Sequence, residues 1–492
     1  MTDKQIQAAF DSKRNLFLTG PAGVGKSYLL DKFIQSHQNV LVCAPTGIAA
    51  LKVGGETMHK VFHIPIPAFE GPSFAKGKKG AITPAQLRVI AAADTIVIDE
   101  VSMARCDNFS YMIKVIRKAE KVKGQKIRII ASGDFSQLPP VVKKDEEKLM
   151  RKYKFDLSGY PFTTTEWKSL NFKVVELTEI KRQSDQEFIE HLNEVRVGNF
   201  KHIDYFSQFV DENPDTDGAI LICGTNATAD RLNREYLDEI DGEPALFMAD
   251  KTGRCPAGIV DDQILIKTNA RIIFTSNDPE GRFKNGSFGI VKSFDKDAVM
   301  VEVLSRDGSY IVKVEKREYP VYSYSATGDV LTQKQVGLIK QYPFKLGKAI
   351  TIHKSQGQTF DKVIISPEIF AAGQLYVALS RVTSPEGLSL LSEIKPEHFI
   401  LDKNVVKFYK NKYKWDAKSR QKKPASSTSS KVPTKTVKKP AKKTTTSQTK
   451  KTTKTKPKTT VRKTNIKANT TTKKKTTVSK PKTKSVKKQK MI

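Results

Sequence analysis

Short apolar runs alternate with longer mixed stretches through the first third of the chain. The runs have the length and β-branched content of buried strands, and the stretches between them are long enough for helices. Four runs occur there, at 16–18, 40–43, 95–98 and 127–131. This βαβ rhythm predicts a parallel sheet covered by helices.

The same rhythm returns later, in runs at 173–177, 219–223, 349–352 and 362–365. From about 264 to 325 short alternating strands replace it, with turn signals at Asn285-Gly286 and Asp307-Gly308. Five such runs are predicted, at 264–266, 270–274, 289–294, 298–304 and 310–314. The pattern therefore predicts an α/β fold with two sheet units and a small β-rich insert in the second. We place the units at 1–165 and 166–410, the insert near 280–345, and a smaller inserted subdomain near 54–90.

One loop after the first strand carries the strongest chemical signal. It fits the phosphate-binding pattern G-x-x-x-x-G-K-[ST], and the strand before it and the helical stretch at 28–34 are the context that the pattern requires. Backbone N–H groups and a helix N-terminus would face the phosphates. We expect Lys26 to reach the β- and γ-phosphates of ATP and Ser27 to hold Mg²⁺. The loop consists of Gly20, Pro21, Ala22, Gly23, Val24, Gly25, Lys26 and Ser27.

Two carboxylates, Asp99 and Glu100, follow the run at 95–98. A parallel strand would deliver both to the sheet edge beside the phosphate loop. Asp99 could then hold the water shell of Mg²⁺, and Glu100 could orient or deprotonate the attacking water. An acidic pair alone would be weak evidence for a catalytic site, because many strands end in acidic turns. Its combination with the phosphate loop makes the evidence strong.

Positive charge is concentrated at the C-terminal end. The chain has 85 Lys and Arg against 52 Asp and Glu, a net charge of +33, and 27 of the basic residues but no acidic residue lie in 417–492. That stretch is rich in Lys, Thr, Ser and Pro, so we expect a disordered tail over 411–492. It favours a polycationic arm that neutralises nucleic-acid phosphates. A plain solubilising linker and a nuclear-import signal remain alternatives.

The four cysteines indicate neither a zinc site nor a disulfide framework. They are far apart and form no C-x-x-C pair. The first 15 residues lack an apolar signal core, and no apolar run reaches the length of a membrane span. We therefore expect an intracellular protein without a membrane partner.

Further motifs follow the predicted strands in a fixed order. They read APTGIAA at 44–50, GGETMH at 54–59, DEVSM at 99–103, GDFSQLPP at 133–140, LTEIKRQ at 177–183, TIHKSQGQT at 351–359 and YVALSR at 376–381. Together they resemble the petite-integration-frequency family of superfamily 1B DNA helicases, relatives of bacterial RecD. The resemblance covers nearly all of residues 5–395 and leaves out the tail. It implies two RecA-like motor domains with an SH3-like insert, and a monomeric motor that uses ATP and Mg²⁺.

The resemblance also assigns roles at the nucleotide. Gln137 matches the sensor of the γ-phosphate, Gln356 a nucleotide contact, and Arg182 and Arg381 the arginines that reach across from the second motor domain. A rigid guanidinium fork suits charge that develops on the transferred phosphoryl group.

The adenine contact is less well determined. Gln5 matches the family's adenine-reading glutamine, although the family usually has a few more residues before the phosphate loop, and Gln7 is a rival.

Other matching positions fall on or near the expected path of single-stranded or forked DNA. Phe62 and His63 could stack on bases or pack within a small subdomain, and two of the matching residues, His353 and Lys354, could equally couple the domains. The matching residues are Thr46, His59, His353, Lys354 and Ser355.

Three functions compete. The first is a helicase that moves 5′ to 3′ on single-stranded DNA during replication, repair or recombination, with the direction implied by the resemblance alone. The second is a nucleic-acid-binding protein with a vestigial motor. The presence of every expected catalytic residue argues against it. The third is an RNA helicase, because motors that track a backbone need not reveal their sugar preference in short motifs. We expect the protein to act in a nucleus or at a DNA replication site, whether cellular or viral.

Overall fold

The computed structural model describes residues 3–413, apart from 76, 77, 79, 257, 296 and 305–307. Most helices are short, and the longest, α6, is buried along much of its length. The helices are α1 (Asp3–Phe10), α2 (Lys26–Ser36), α3 (Gly47–Lys52), α4 (Met58–Val61), α5 (Pro84–Ala91), α6 (Cys106–Lys123), α7 (Glu147–Lys152), α8 (Thr165–Ser169), α9 (Gln186–Arg196), α10 (Asn226–Asp238), α11 (Ile352–Ser355), α12 (Gln374–Leu379) and α13 (Lys403–Tyr413).

The first domain is built on a six-stranded parallel sheet in the order β3-β2-β4-β5-β1-β6. Its central strands are buried along nearly their whole length because helices cover both faces, which explains their continuous apolar runs. The strands are β1 (Leu16–Thr19), β2 (Val40–Ala44), β3 (Glu56–Thr57), β4 (Thr95–Ile98), β5 (Arg128–Ser132) and β6 (Lys173–Glu176).

The position of β6 corrects one prediction. The run at 173–177 was expected in the second unit, but β6 pairs with β1 in parallel, Leu16 opposite Lys173. The first sheet thus extends past the predicted boundary at 165. The pattern of apolar residues predicts that a strand forms, but it does not predict which strand will be its partner in the sheet.

The second domain has a four-stranded parallel sheet, β18-β7-β19-β20, with β8 to β17 inserted between its first two strands in the chain. The inserted strands are antiparallel, and they include all five runs predicted between 264 and 314. They begin at Ala245 and end at Leu346, so the insert is wider than predicted. The strands are β7 (Ala219–Cys223), β8 (Ala245–Met248), β9 (Asp250–Gly253), β10 (Gln263–Ile266), β11 (Arg271–Phe274), β12 (Phe288–Phe294), β13 (Ala298–Val303), β14 (Tyr310–Glu315), β15 (Arg317–Thr327), β16 (Val330–Gln341), β17 (Phe344–Leu346), β18 (Ala349–Thr351), β19 (Lys362–Ile365) and β20 (Leu388–Leu390).

A long hairpin of the insert, β15–β16, contacts the first domain. The Tyr324 hydroxyl accepts a hydrogen bond from Val42 N at 3.0 Å. Lys60 Nζ donates to Tyr322 O at 2.8 Å, and Gln333 Nε2 donates to Gly54 O at 2.9 Å. The insert is therefore joined to both domains.

The last helix, α13, returns to the core of the first domain. The Phe408 ring lies 5.3 Å from the Phe135 ring and 6.3 Å from the Phe17 ring. The predicted tail lies outside the described residues, except that its first three residues continue α13. Within the described part of the chain, no helix combines the length and apolar character needed to cross a membrane.

Candidate active site

The phosphate loop forms one wall of a cavity of about 370 Å³ between the two domains. Lys26 Nζ donates hydrogen bonds to Gly20 O and Pro21 O, both at 2.9 Å, inside the loop. Burial lowers the pKa of Lys26, and the carboxylates of Asp134 and Glu100 oppose that shift. A buried lysine among backbone N–H groups is suited to bind phosphate.

Residues of the second domain touch this wall directly. The Tyr376 hydroxyl, on α12, accepts a hydrogen bond from Ala22 N at 2.8 Å. Gly373, with φ +74°, precedes α12 and lies so close to the loop after β5 that a Cβ there would come within 2.3 Å of Gln137 O. The sheet edges of the two domains therefore meet at the cavity, as expected for ligand sites at the carboxyl ends of parallel strands.

The predicted carboxylates and amides come together in the cleft. Asp99 is buried, and Glu100 has left-handed backbone angles, φ 48° and ψ 41°. Gln356 Nε2 donates to Glu100 Oε2 at 3.0 Å and to Gln137 Oε1 at 3.4 Å. Burial, and next the charge of Asp99, raise the pKa of Glu100, while Lys26 opposes the rise. A carboxyl with a raised pKa beside two amides has the character of a general base.

Gln356 also has an acceptor to offer. Its Oε1 is buried without a hydrogen-bond partner among the described residues. Unpaired buried acceptors are costly, so this oxygen is expected to receive a donor from a water or ligand in the cleft.

Both predicted arginines line the cavity, but in different ways. Arg381 is only 1% exposed, and it donates to Val377 O at 2.7 Å, Gln358 O at 3.2 Å and Ser355 O at 3.3 Å. Burial lowers the pKa of its guanidinium, and the neighbouring Arg182 lowers it further. An anion in the cavity would compensate this concentration of positive charge.

Arg182 differs from expectation. It was expected to reach across from the second domain, yet it lies on the connection that leaves the first sheet after β6. Lys181 N donates to Gly23 O at 2.9 Å, and a Cβ on Gly23 would come within 2.6 Å of Arg182 Cβ. Arg182 Nη1 then donates to Ser380 O at 2.9 Å, so the side chain joins the phosphate loop to α12.

Sequence reasoning missed a buried ionic network behind the loop. Arg196, the last residue of α9, donates to both carboxylate oxygens of Asp134 at 2.9 and 3.0 Å, and the Tyr409 hydroxyl donates to the same carboxylate at 3.2 Å. Burial alone would raise the pKa of Asp134, but Arg196 overrides it and the pKa lies below its ordinary value. Asp134 belongs to a recognised motif, whereas no local signal marks Arg196 or Tyr409. Lys52 and Lys181 also line the cavity and were missed.

The proposed adenine contact is not brought to the cavity. Gln5 is exposed on α1 and is absent from the residues that line the cavity, and Gln7 donates to Asp11 at 2.8 Å. The base contact of either glutamine remains a prediction.

The proposed DNA residues divide by exposure. Lys354 is exposed, and His353 is half-buried. Ser355 is fully buried and its hydroxyl donates to Ile352 O, which favours a role inside the domain. Phe62 is also fully buried, which favours packing over stacking, whereas His63 is exposed.

Two candidates lie near the start of the inserted subdomain. Thr46 is half-buried and caps α3 by accepting from Ala49 N at 3.2 Å. His59 Nε2 lies 3.2 Å from Asn108 Nδ2, and burial lowers the pKa of its ring. A neutral imidazole at this place can exchange hydrogen bonds but carries little charge toward a phosphate.

Two parallel-sheet domains that close over a phosphate loop, an Asp-Glu pair and buried arginines define a P-loop nucleoside triphosphatase with paired RecA-like domains. A family model described as PIF1-like helicase matches residues 2–205. The ATP-dependent DNA helicase Pif1 of Campylobacter jejuni is 31% identical over 432 residues, which cover 80% of this chain and 94% of that protein. The human ATP-dependent DNA helicase PIF1 is 30% identical, with 80% of this chain and 61% of that protein covered.

Solved structures agree with this class. Bacteroides Pif1 in complex with ADP-AlF4 has a TM-score of 0.74 at 30% identity, with 84% of this chain and 97% of that chain covered. Bacteroides Pif1 bound to ssDNA has a TM-score of 0.59 at the same identity. The chain belongs to the PIF1-like helicases, which makes it an ATP-dependent DNA helicase. The resemblance inferred from its motifs is confirmed.

Proposed function

We propose that this helicase moves 5′ to 3′ along single-stranded DNA and opens forked duplexes during replication, repair or recombination. The observation that best supports a working motor is a pair of hydrogen bonds across the cleft. They join Gln356 of the second domain to Glu100 and Gln137 of the first. Relatives in the family have been solved bound to ssDNA and at forked dsDNA. The direction rests on the resemblance of the motif series.

ATP hydrolysis would use residues from both sides of the cavity. Lys26, Arg182 and Arg381 supply positive charge for the phosphates and for the charge that develops in the transition state. Glu100, with its raised pKa, accepts a proton from the attacking water. The buried Oε1 of Gln356 is an acceptor that can orient the same water.

Mg²⁺ fits the donor set. The Ser27 hydroxyl and the Asp99 carboxylate are hard oxygen donors, and Ser27 lines the cavity. When bound, Mg²⁺ neutralises charge on the β- and γ-phosphates. We propose that these two residues hold it, Asp99 through the ion's water shell.

Arg381 offers a direct route from nucleotide to DNA. Its guanidinium donates to Ser355 O, in the segment whose neighbours His353 and Lys354 are proposed to lie along the strand. If phosphate draws Arg381 into the cavity, that hydrogen bond must break or carry the segment with it. We propose that this contact couples ATP turnover to movement of DNA.

Two further parts of the proposal concern the whole chain. The Lys-rich stretch 417–492 would act as a DNA arm, and the protein would work in a nucleus or at a viral replication site as a monomer.

An unwinding assay tests the function. We expect the wild type to open 5′-tailed DNA duplexes and to leave 3′-tailed and RNA-tailed duplexes largely closed. Lys26→Ala should abolish both unwinding and ATP hydrolysis while single-strand binding persists, because Lys26 lies in the nucleotide cavity and is not one of the proposed DNA contacts. Lys32→Ala, an exposed lysine on the same helix α2, is the matched control and should behave as wild type. Preference for a 3′ or RNA tail would refute the proposed polarity or substrate.

A further inference from the structure

A compact cluster of metal-ligating side chains lies outside the nucleotide cleft. His202 Nδ1 is 2.9 Å from both carboxylate oxygens of Glu194, and His191 Nδ1 is 3.3 Å from Glu194 Oε2. One ligand atom from each residue falls within 4.8 Å of the others. The proposed helicase mechanism uses none of these three residues.

The local fold brings the three residues together. His191 and Glu194 are three residues apart on α9 and share one face of the helix. Gly198, with φ +70°, follows the end of α9 and lets the chain reverse, so that His202 returns to that face. Asn199 N donates to Glu194 O at 2.9 Å, which fixes the reversal.

Neighbouring side chains hold the ligand groups in place. Tyr205 stacks on the His191 ring with centroids 3.8 Å apart and planes at 23°. Asn199 Nδ2 donates to Glu194 Oε1 at 3.3 Å. Orienting contacts of this kind are what supporting residues supply around metal ligands.

We propose that His191, Glu194 and His202 bind one divalent transition-metal ion of the zinc class. Two imidazole nitrogens and one carboxylate suit Zn²⁺, Co²⁺ or Ni²⁺ and are a poor set for Mg²⁺, which prefers oxygen. Bonds of about 2.0–2.1 Å to a tetrahedral ion place its ligand atoms roughly 3.4 Å apart. The spacings of 2.9 and 3.3 Å from Glu194 to the two histidines are close to that value, and the spacing between the histidines is within 4.8 Å. A water would complete the coordination.

An ion here would join the end of α9 to the segment Ile203–Phe209 that follows it. The last residue of α9, Arg196, is the buried partner of Asp134 behind the phosphate loop. The metal would therefore stabilise the C-terminal end of α9, which positions Arg196 for its ion pair with Asp134.

The competing explanation is a set of hydrogen bonds between histidines and a glutamate, with no ion. A direct titration distinguishes the two. The full-length protein without nucleotide is titrated with Co²⁺, followed by its visible absorption, and with Zn²⁺, followed by calorimetry, both in a large excess of Mg²⁺. The Lys-rich stretch 417–492 contains no His or Cys, so it adds no imidazole or thiolate ligand.

Two variants each remove one proposed metal ligand, and a third variant serves as a control for loss of a histidine elsewhere. His202→Ala removes a half-exposed ring, and Glu194→Gln keeps the size of the side chain but replaces one carboxylate oxygen with an NH2 group that cannot bind a metal. His37→Ala removes an exposed histidine that lies outside the cluster. Thermal melting without metal verifies that all three variants are folded.

We expect one site per chain whose affinity falls at least tenfold in His202→Ala and in Glu194→Gln and is unchanged in His37→Ala. Equal affinity in the wild type and in both folded cluster variants would overturn the proposal. So would thiolate-to-cobalt absorption, which would assign the ion to a cysteine.

Discussion

The Glu100 carboxyl illustrates how one side chain's surroundings set its chemistry. Burial and the nearby Asp99 raise its pKa, so its proton-accepting form accumulates at higher pH than that of an ordinary glutamate. ATPase activity at saturating ATP and DNA should therefore rise with pH through that raised pKa and level off above it. Glu100→Gln should lower kcat by about 10²- to 10⁴-fold and remove this acidic limb.

The control for that experiment is Glu239→Gln, an exposed glutamate on the second domain, which should leave both the rate and the pH profile unchanged. The measurement is kcat against pH for the three proteins. A Glu100→Gln rate within a few-fold of wild type would move the catalytic base to another residue.

At the residue scale, contiguous motifs are what made site residues predictable. Lys26, Glu100, Gln137 and Arg381 each lie in a short motif and all four line the cavity, while their roles remain predictions. The Asp134–Arg196 pair was missed because its members are 62 residues apart and helix packing alone brings them together. Tertiary structure decides which distant residues are buried together, and the spacing of residues in the sequence does not predict this.

The hairpin β15–β16 covers an exposed edge of the first sheet. Strand β3 is only two residues long and pairs with Cys43 and Ala44, so it does not extend along β2 as far as Val42. The Tyr324 hydroxyl lies within hydrogen-bond distance of both Val42 N, at 3.0 Å, and Val42 O, at 3.4 Å. Native proteins protect such edges, and here a side chain does so.

Removing that hydroxyl should therefore weaken the protein. Tyr324→Phe leaves Val42 N without its partner at a buried place, which costs about 1–3 kcal/mol and lowers the thermal melting midpoint. Tyr322→Phe on the same strand is the control, because Lys60 donates to the backbone of residue 322 and that bond survives the change. Equal melting midpoints for the two variants would contradict the edge-protecting role of Tyr324.

At the element scale, strand runs were easier to predict than strand partners. Continuous apolar runs such as 95–98 and 219–223 became central strands because both faces of a parallel sheet are covered. The hairpin was missed because β15 mixes tyrosines with serines and contains Pro320, a composition typical of edges and turns. It also makes hydrogen bonds to the other domain, and such long-range contacts cannot be read from the local sequence.

At the scale of the whole molecule, charge is divided between the motor and the tail. Residues 1–416 hold 58 basic and 52 acidic residues, and 417–492 hold 27 basic residues alone. Deleting 417–492 should weaken DNA binding and flatten its salt dependence, since each neutralised phosphate of a single strand contributes a slope of about −0.7 in log K against log salt. ATPase at saturating DNA should persist, because every recognised motif precedes the deletion.

The measurement is DNA affinity across a salt series, with ATPase at saturating DNA, for full-length and shortened protein. An unchanged salt slope would mean that the tail does not neutralise phosphates. Loss of ATPase at saturating DNA would mean that the motor extends beyond residue 416.

The packing of α13 against the first domain affects when that domain can complete its core during translation. The Tyr409 hydroxyl lies 3.2 Å from Thr19 Oγ1 across 390 residues of chain, and its neighbour Phe408 packs on Phe17 of the central strand β1. At about 5–20 residues per second, a ribosome needs roughly 20 to 80 s to reach Tyr409 after Thr19. During that time the nascent phosphate loop has an uncovered aromatic core behind it. A growing chain thus acquires this support for its ATP site only after α13 has been synthesised.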